Sequence, residues 1–382
     1  MIYITYIPNL SAYPDRVRQI ENLSDQFEKI IIYTNCKNLN EIQKNENSAH
    51  VISLFENQKR GWRTVIALGI KLSRLLHKEK KEWIILDDWF GFLSVFFPLL
   101  RLLRMISKHK LLLIYSPVTS SIFWFTDNKL STLWLCRDFS VFRLRKVPLE
   151  LLSYISTDIL SVQSEGLRKR YLQSYPRKTI FVTPNCVQQD SAARQTANMT
   201  SCDSKYLIYA GNWSYNKGMD MIFRLSEELR AENVEVTVVG HGVRREGKKL
   251  IKLLEHSNIR TMPRQSREEL ARLFDACDIF ILPSRHEGSP RAVFEFLLFD
   301  KPVVSADLPG LSDINSPLLL RFEKENYDGF RAQVRNALKL NDLDAVTLQR
   351  HRDGMAAFTP EVTARAKALQ IKKIISQREV HI

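Results

Sequence analysis

The sequence predicts an α/β chain of two Rossmann-like domains facing a cleft. Three observations predict it. Short β-branched runs alternate with longer helical patterns, the alternation breaks once at a polar stretch and then restarts, and 382 residues suffice for two to three domains at roughly 150 residues each. Alternation of this kind argues for parallel sheets with helices on both faces.

The chain opens on Ile2–Ile7, an apolar run with neither the positive segment nor the small-residue cleavage site of a signal peptide, so it reads as a first strand. Further strands are expected at Lys29–Thr34, Trp83–Leu86, Lys110–Tyr115, Asp158–Val162 and Thr179–Thr183. Between them, Asp15–Gln26, Trp62–Lys80, Phe90–Ser107, Ser131–Tyr154 and Ser164–Ser174 carry helical patterns. Residues 188–204 are small and polar with no apolar period, which marks an interdomain linker. Strands then resume at Tyr206–Ala210, Val234–Val239, Asn258–Thr261, Asp278–Leu282, Pro302–Ser305 and Leu318–Arg321. The helices of this half are Gly218–Ala231, Arg244–His256, Ser266–Ala276, Pro290–Phe299 and Asn326–Leu340. A last helix, Pro360–Ser376, is expected to pack back on the first domain. The domains are thus 1–187 and 205–357, with the linker at 188–204 and a closing helix and tail at 358–382.

Charge is the unusual feature of the composition. Fifty-six Lys and Arg against 42 Asp and Glu leave +14, which points to a polyanionic partner: nucleic acid, an anionic membrane surface or phosphorylated substrates. The excess is uneven, about +11 in residues 1–200 and about +3 in 201–382. No zinc finger, recognition helix or RNA-binding motif accompanies it, so no nucleic-acid partner is expected. The five cysteines are scattered, with no Cys-x-x-Cys pair, which argues against a disulfide scaffold and a zinc site and favours a reducing, cytoplasmic setting. The uncharged runs Trp89–Leu100 and Leu111–Thr126 are interrupted by Pro98 and Pro117 and fall short of the ~20 apolar residues that a membrane span needs. The stretch Trp89–Lys110 mixes aromatic and aliphatic residues with Arg101, Arg104, Lys108 and Lys110. It reads partly as a buried helix and partly as a face lying on an anionic bilayer.

In open parallel sheets, ligands bind at the carboxyl ends of the strands, so the residues after each strand are the candidates. After Asp278–Leu282 comes Pro-Ser-Arg-His-Glu-Gly-Ser-Pro-Arg-Ala-Val-Phe-Glu, Pro283–Glu295. Ser289 is expected to cap the following helix, with Pro290 at its first position. A helix start of this kind, with the amides of Ser289, Pro290's neighbours Arg291 and Ala292, and a partial positive charge, suits a phosphate. Glu287 precedes the helix and Glu295 lies within it. A second strand end, Gly211-Asn212-Trp213-Ser214-Tyr215-Asn216-Lys217-Gly218, offers close backbone approach at Gly211 and a compact cation at Lys217 for a diphosphate. The third, Val238-Val239-Gly240-His241-Gly242, is a weak signal alone. Asp87-Asp88 lacks a third ligand for a metal, and a capping or acceptor-cleft role is expected for it.

Glu287 and Glu295, with Gly211…Lys217-Gly218, Glu287-Gly288-Ser289-Pro290-Arg291, Lys301-Pro302-Val303-Val304 and Pro309-Gly310, resemble the donor-site motifs of retaining glycosyltransferases of family four, with its Glu-x7-Glu pattern. The resemblance covers about residues 155–325. It implies the two-domain GT-B fold and a metal-independent, cofactor-free transfer of a hexose from a nucleotide diphosphate sugar to a lipid-linked or glycan acceptor. Residue by residue, it implies that Glu287 contacts the hexose near its anomeric centre and Glu295 the ribose. Lys217, with the amides of Ser289 to Ala292 beside Gly288 and Pro290, takes the diphosphate, and the backbone at Met262–Pro263 takes the base. Asn212 stands where the family usually has Arg, with Arg291 as a substitute cation. The alternative reading is a degenerate member that binds nucleotide sugar without turnover. For either, the resemblance implies a peripheral place on the inner face of the cell membrane.

Overall fold

The structure is a computed structural model that describes residues 1–7, 13–34, 49–53, 62–78, 83–88, 96–107, 110–117, 151–187, 205–242, 259–340 and 343–380. The expected linker at 188–204, the expected helix Arg244–His256 and most of Ser131–Tyr154 lie outside these residues. Among the described residues the chain forms two compact units, the first reaching Cys186 and resuming at Phe358, the second running from Val187 to Ala357.

The first unit is built on strands β1 (Ile2–Ile7), β2 (Lys29–Thr34), β3 (Ala49–Ser53), β4 (Ile84–Asp88), β5 (Leu111–Tyr115), β6 (Ile159–Val162) and β7 (Thr179–Val182). They form one parallel sheet in the order β3-β2-β1-β4-β5-β6-β7. Strands buried on both faces read as continuous apolar runs, and every residue of β1 is buried. Successive side chains nonetheless part to opposite faces. Tyr3 and Ile7 meet Val17 and Ile20 of the Pro14–Glu21 helix and Ala364, Ala368, Ile371 and Ile375 of the Pro360–Glu379 helix. Ile2, Ile4 and Tyr6 meet Leu68, Leu72 and Leu76 of Trp62–Lys78 and Phe97 and Leu100 of Phe97–Ser107. The closing helix thus belongs to the first unit, as expected from sequence.

That helix also carries Lys367, in the middle of its apolar stripe and buried. Its ammonium bonds to the Asp87 carboxylate on β4. Asp87 accepts from the Tyr3 hydroxyl as well and from Ser116 Oγ at 2.8 Å, while its carbonyl accepts from Thr5 Oγ1 at 2.9 Å. The expectation of a capping or cleft role for Asp87 is therefore corrected. The strand extends two residues beyond its expected end, and Asp87 is the buried counter-ion of the last helix. Burial pushes the Lys367 ammonium down to about 8, against the opposing pull of Asp87.

The second unit holds β8 (Lys205–Trp213), β9 (Val234–Gly242), β10 (Ile259–Met262), β11 (Ile279–Leu282), β12 (Val303–Ala306) and β13 (Leu319–Phe322), parallel in the order β10-β9-β8-β11-β12-β13. From β8 the chain runs out to one edge and then returns to β11, so β8 and β11 flank the topological switch point where a crevice opens. Two described elements escape the sequence reading. Strand β3 is a five-residue edge strand. The helix Ala345–Ala356 has no clean apolar stripe and buries only His351 and Met355. His351 holds it in place: its Nε2–H donates to the Leu297 carbonyl at 2.8 Å and its Nδ1 accepts from Ser316 Oγ at 2.7 Å. Burial pushes its pKa down, opposed by the Leu297 carbonyl and Asp300. Cys277 is buried too, and burial pushes its thiol up to about 12. Among the described residues no helix is long and apolar enough to cross a membrane.

Lys367→Met should cost about 3–5 kcal/mol in urea unfolding, because it strands a buried carboxylate, and Asp87→Asn in the same chain should recover much of the loss. His351 is harder to protonate folded than unfolded, where it titrates near 6.5. Below that pH the unfolded chain holds more protons, so stability should fall as pH drops from about 6.5, and His351→Gln should flatten that arm of the curve.

Candidate active site

The site residues gather at the carboxyl edge of the second sheet. Strands β8 and β9 run on beyond their expected ends, so Gly211 and Asn212 are not loop residues but pair with Gly240 and His241. The Tyr209 hydroxyl donates to the Asn212 carbonyl at 2.9 Å and fastens this extension. Burial, and the nearby charge of Glu287, hold the Tyr209 phenol well above its ordinary pKa, so it remains a donor. Gly211 and Asn212 are themselves exposed.

Beyond Trp213 the chain makes a 3₁₀ turn, Tyr215–Lys217, and enters the helix Met219–Leu229 through Gly218. Gly218 has φ 72°, a left-handed conformation that glycine adopts at little cost. It also lies against β11's exit: a Cβ there would fall on the carbonyl of Pro283. This approach brings Lys217 alongside the loop that follows β11. Lys217 Nζ meets Glu287 Oε1 at 2.5 Å, and Ser284 Oγ donates to the same oxygen at 3.1 Å. Both charged side chains are only partly exposed. Glu295 pairs with Arg291 one turn earlier, at 3.0 Å. The two acids that the sequence singles out are thus each matched by a cation.

The β11 loop is braced from the other side as well. The Pro309–Leu311 turn after β12 presses on it, and a Cβ on Gly310 would fall on the Gly288 carbonyl. Pinned there, Gly288 and Ser289 do not join the helix, which is corrected to Arg291–Leu297 with Pro290 as N-cap, its ψ extended at 103°. Ser289 is therefore not the cap, and no side chain caps this helix start. The first amides of any helix lack intrahelical partners. Met262 and Pro263 lie at the carboxyl end of β10, two strands from β8, where Gln265 Nε2 donates to the Pro263 carbonyl at 2.8 Å.

Sequence reasoning missed Arg285. This side chain is buried between the two loops and joins them. Its guanidinium grips the Asp220 carboxylate with two bonds, 2.8 and 2.7 Å, and donates to the Tyr215 carbonyl at 2.5 Å. It stacks on the Tyr215 ring at 3.7 Å, and Nε stands 3.6 Å from Glu325. Its own backbone N–H donates to the Asn216 carbonyl at 2.9 Å. Lys217 is two residues past Tyr215 and Glu287 two past Arg285, so this staple sets their spacing. Only the position of Arg285 two residues before Glu287 could have signalled it, since nothing in the spacing pairs residue 285 with residue 220.

Residues 195–352 match the family Glycosyl transferases group 1. That domain takes in β8 through most of the Ala345–Ala356 helix and contains every candidate site residue. Over 114 residues the chain is 32% identical to N,N'-diacetylbacillosaminyl-diphospho-undecaprenol alpha-1,3-N-acetylgalactosaminyltransferase of Campylobacter jejuni, a match spanning 30% of this chain and 27% of that relative's length. Among solved structures it is similar to sucrose-phosphate synthase from Thermosynechococcus elongatus, with TM-score 0.72 at 14% identity over 100% of both chains. It is also similar to Anabaena HepE in complex with UDP and glucose, with TM-score 0.65 at 14% identity over 98% of this chain and 100% of that one. At such identities the likeness is one of fold, and with the two parallel sheets it identifies the two-domain α/β GT-B fold.

Removing the staple should be felt in the second unit before it is felt elsewhere. Arg285→Met should cost about 1.5–3 kcal/mol, the worth of hydrogen bonds to a charged group. Arg285→Lys, which keeps the charge but not the planar fork, should recover only part of it. Differential scanning calorimetry of the two variants checks this.

Proposed function

We propose that the chain is a retaining glycosyltransferase that moves a hexose from a nucleotide diphosphate sugar to a lipid-linked or glycan acceptor in cell-envelope glycan synthesis. The observation that carries the reading is the meeting of Lys217 and Glu287 at the β8–β11 switch point, beside a helix start that no side chain caps. In such a transfer the departing nucleoside diphosphate gains negative charge. On this reading the Lys217 ammonium and the backbone N–H groups of Ser289, Arg291 and Ala292 take it, the work a metal ion does in other transferases. A diphosphate drawing Lys217 away leaves the Glu287 carboxylate to the hexose near its anomeric carbon, whose configuration is retained. Glu295 takes the ribose hydroxyls, and the backbone at Met262–Pro263 takes the base. HepE is complexed with UDP and glucose, which supports a nucleotide sugar as donor. The Campylobacter relative is named for an undecaprenol-linked substrate, which supports a lipid-linked acceptor. The basic first domain supports a place on the inner face of the cell membrane.

A second reading, a binder without turnover, is favoured by Asn212, which brings no charge to the β8 extension and leaves Lys217 as the cation of that segment. Activity separates the two. In a screen of labelled nucleotide sugars, the parent should transfer or hydrolyse one donor, and Lys217→Ala and Glu287→Gln should each lower kcat/KM by about 10²–10³. A parent that shows a ligand-induced rise in melting temperature with no turnover is the binder. A parent that shows neither overturns both readings.

A further inference from the structure

Three helical segments of the first unit lie side by side and leave aliphatic side chains in solvent. Trp62–Lys78 packs on the start of Phe97–Ser107, where Gly69 makes room for Phe96: a Cβ there would stand 2.9 Å from the ring. Phe97–Ser107 in turn touches the helical stretch 151–156, with Arg101 Nη1 donating to the Ile155 carbonyl at 2.8 Å. The buried stripes of the first two helices share one core beneath them. Their outer faces are not polar. Ile66 and Ile70 are half exposed on the first helix, and Leu99, Leu102 and Met105 are exposed on the second, Met105 at 75%. Leu151, Leu152 and Ile155 are exposed on the third. Of the large hydrophobic residues exposed among the described residues, most lie on these three segments.

Among the described residues of the three segments the charges have one sign. Lys71, Arg74, Lys78 and Arg101 are exposed, and residues 57–78 and 89–126 contain no Asp or Glu at all. Asp158, just beyond the third segment, is engaged by Arg104 and Arg378. Clustered exposed aliphatics on touching segments point to a binding surface rather than an ordinary exterior. Aliphatic residues interspersed with lysine and arginine and free of acids complement a surface that is anionic at its headgroups and apolar just beneath them. A protein partner would need a matching patch of acids around its own apolar centre. A bilayer presents that arrangement everywhere.

We infer that this three-helix face docks on an anionic lipid bilayer, with Leu99, Leu102, Met105 and Ile155 entering the headgroup–acyl boundary and Lys71, Arg74 and Arg101 meeting the phosphates. The inference locates the membrane contact contained in the functional reading above, and it does not depend on the transfer chemistry. Sequence alone pointed to Trp89–Lys110. The structure shifts the surface to include Trp62–Lys78 and 151–156 and turns Leu100 inward.

The test is co-sedimentation of the full chain with vesicles of phosphatidylcholine alone or with a third phosphatidylglycerol. The parent should favour the anionic vesicles at least tenfold. Leu102→Gln/Met105→Gln/Ile155→Gln should weaken that partition tenfold or more, and Lys71→Glu/Arg74→Glu should weaken it by about fivefold or more per residue changed. Val362→Gln/Leu369→Gln, which alters exposed aliphatics of the Pro360–Glu379 helix, should leave it unchanged. Melting temperatures report whether each variant is folded, and a folded triple variant that pellets like the parent overturns the inference. So does a parent indifferent to lipid charge, or a parent dimer that the triple variant abolishes without any vesicle binding. A nucleotide-sugar thermal shift, run on the same samples, should be equal in parent and triple variant. Its absence in the parent would count against the donor site and leave the vesicle result standing.

Discussion

The meeting of Lys217 and Glu287 depends on two loops, seventy residues apart, being held in contact. A carboxylate and an ammonium on separate strand ends would otherwise be solvated independently and worth little to each other. Here the contact is made first by backbone, with Gly218 against Pro283 and the Arg285 amide on Asn216. It is then secured by a buried guanidinium that satisfies Asp220 and Tyr215 together. Planar, multiply bonded arginine suits that task because its fork is organised before it binds. Lys217 and Glu287 thus sit on loops whose backbones are already held together.

The first unit solves a related problem with the opposite chemistry. Its last helix must return from the far end of the chain, and its apolar stripe alone would allow it to slide along the sheet. Lys367 within that stripe and Asp87 within β4 can be buried only if they meet. A buried charge pair adds little net stability against apolar replacements, but a misplaced one is heavily penalised. Trp83, donating to Glu379 at 2.8 Å, and Asp158, engaged by Arg378, tie the other end of the same helix.

The strands were legible because a sheet covered on both faces demands continuous apolar runs. Strand β3 and the Ala345–Ala356 helix were not. The first is an edge strand of five residues, and the second is held by a buried histidine rather than by a stripe. Ends of elements shifted for local reasons. Tyr209 and two glycines carry β8 through Gly211 and Asn212, and the pressure of Gly310 on Gly288 delays the helix until Arg291. The residues of the candidate site could be named from type and position, since glycine, lysine and paired acids at strand ends are recognisable. Arg285 could not, since its value lies in partners distant along the chain.

Asp87 and Glu287 show where the division falls. By sequence, both are acids associated with the end of a predicted parallel strand. Chain order and residue type determined that the fold would be α/β, that the candidate site residues would follow strand ends, and that the positive charge would concentrate in the first half. The tertiary structure decided that Asp87 is sealed beneath Lys367 while Glu287 stays partly open beside Lys217. It also decided that three acid-free helical segments come into contact with one another. The reason is physical: whether a charged group can act depends on what desolvates and pairs it, and in both cases the partner comes from a part of the chain that sequence spacing does not connect.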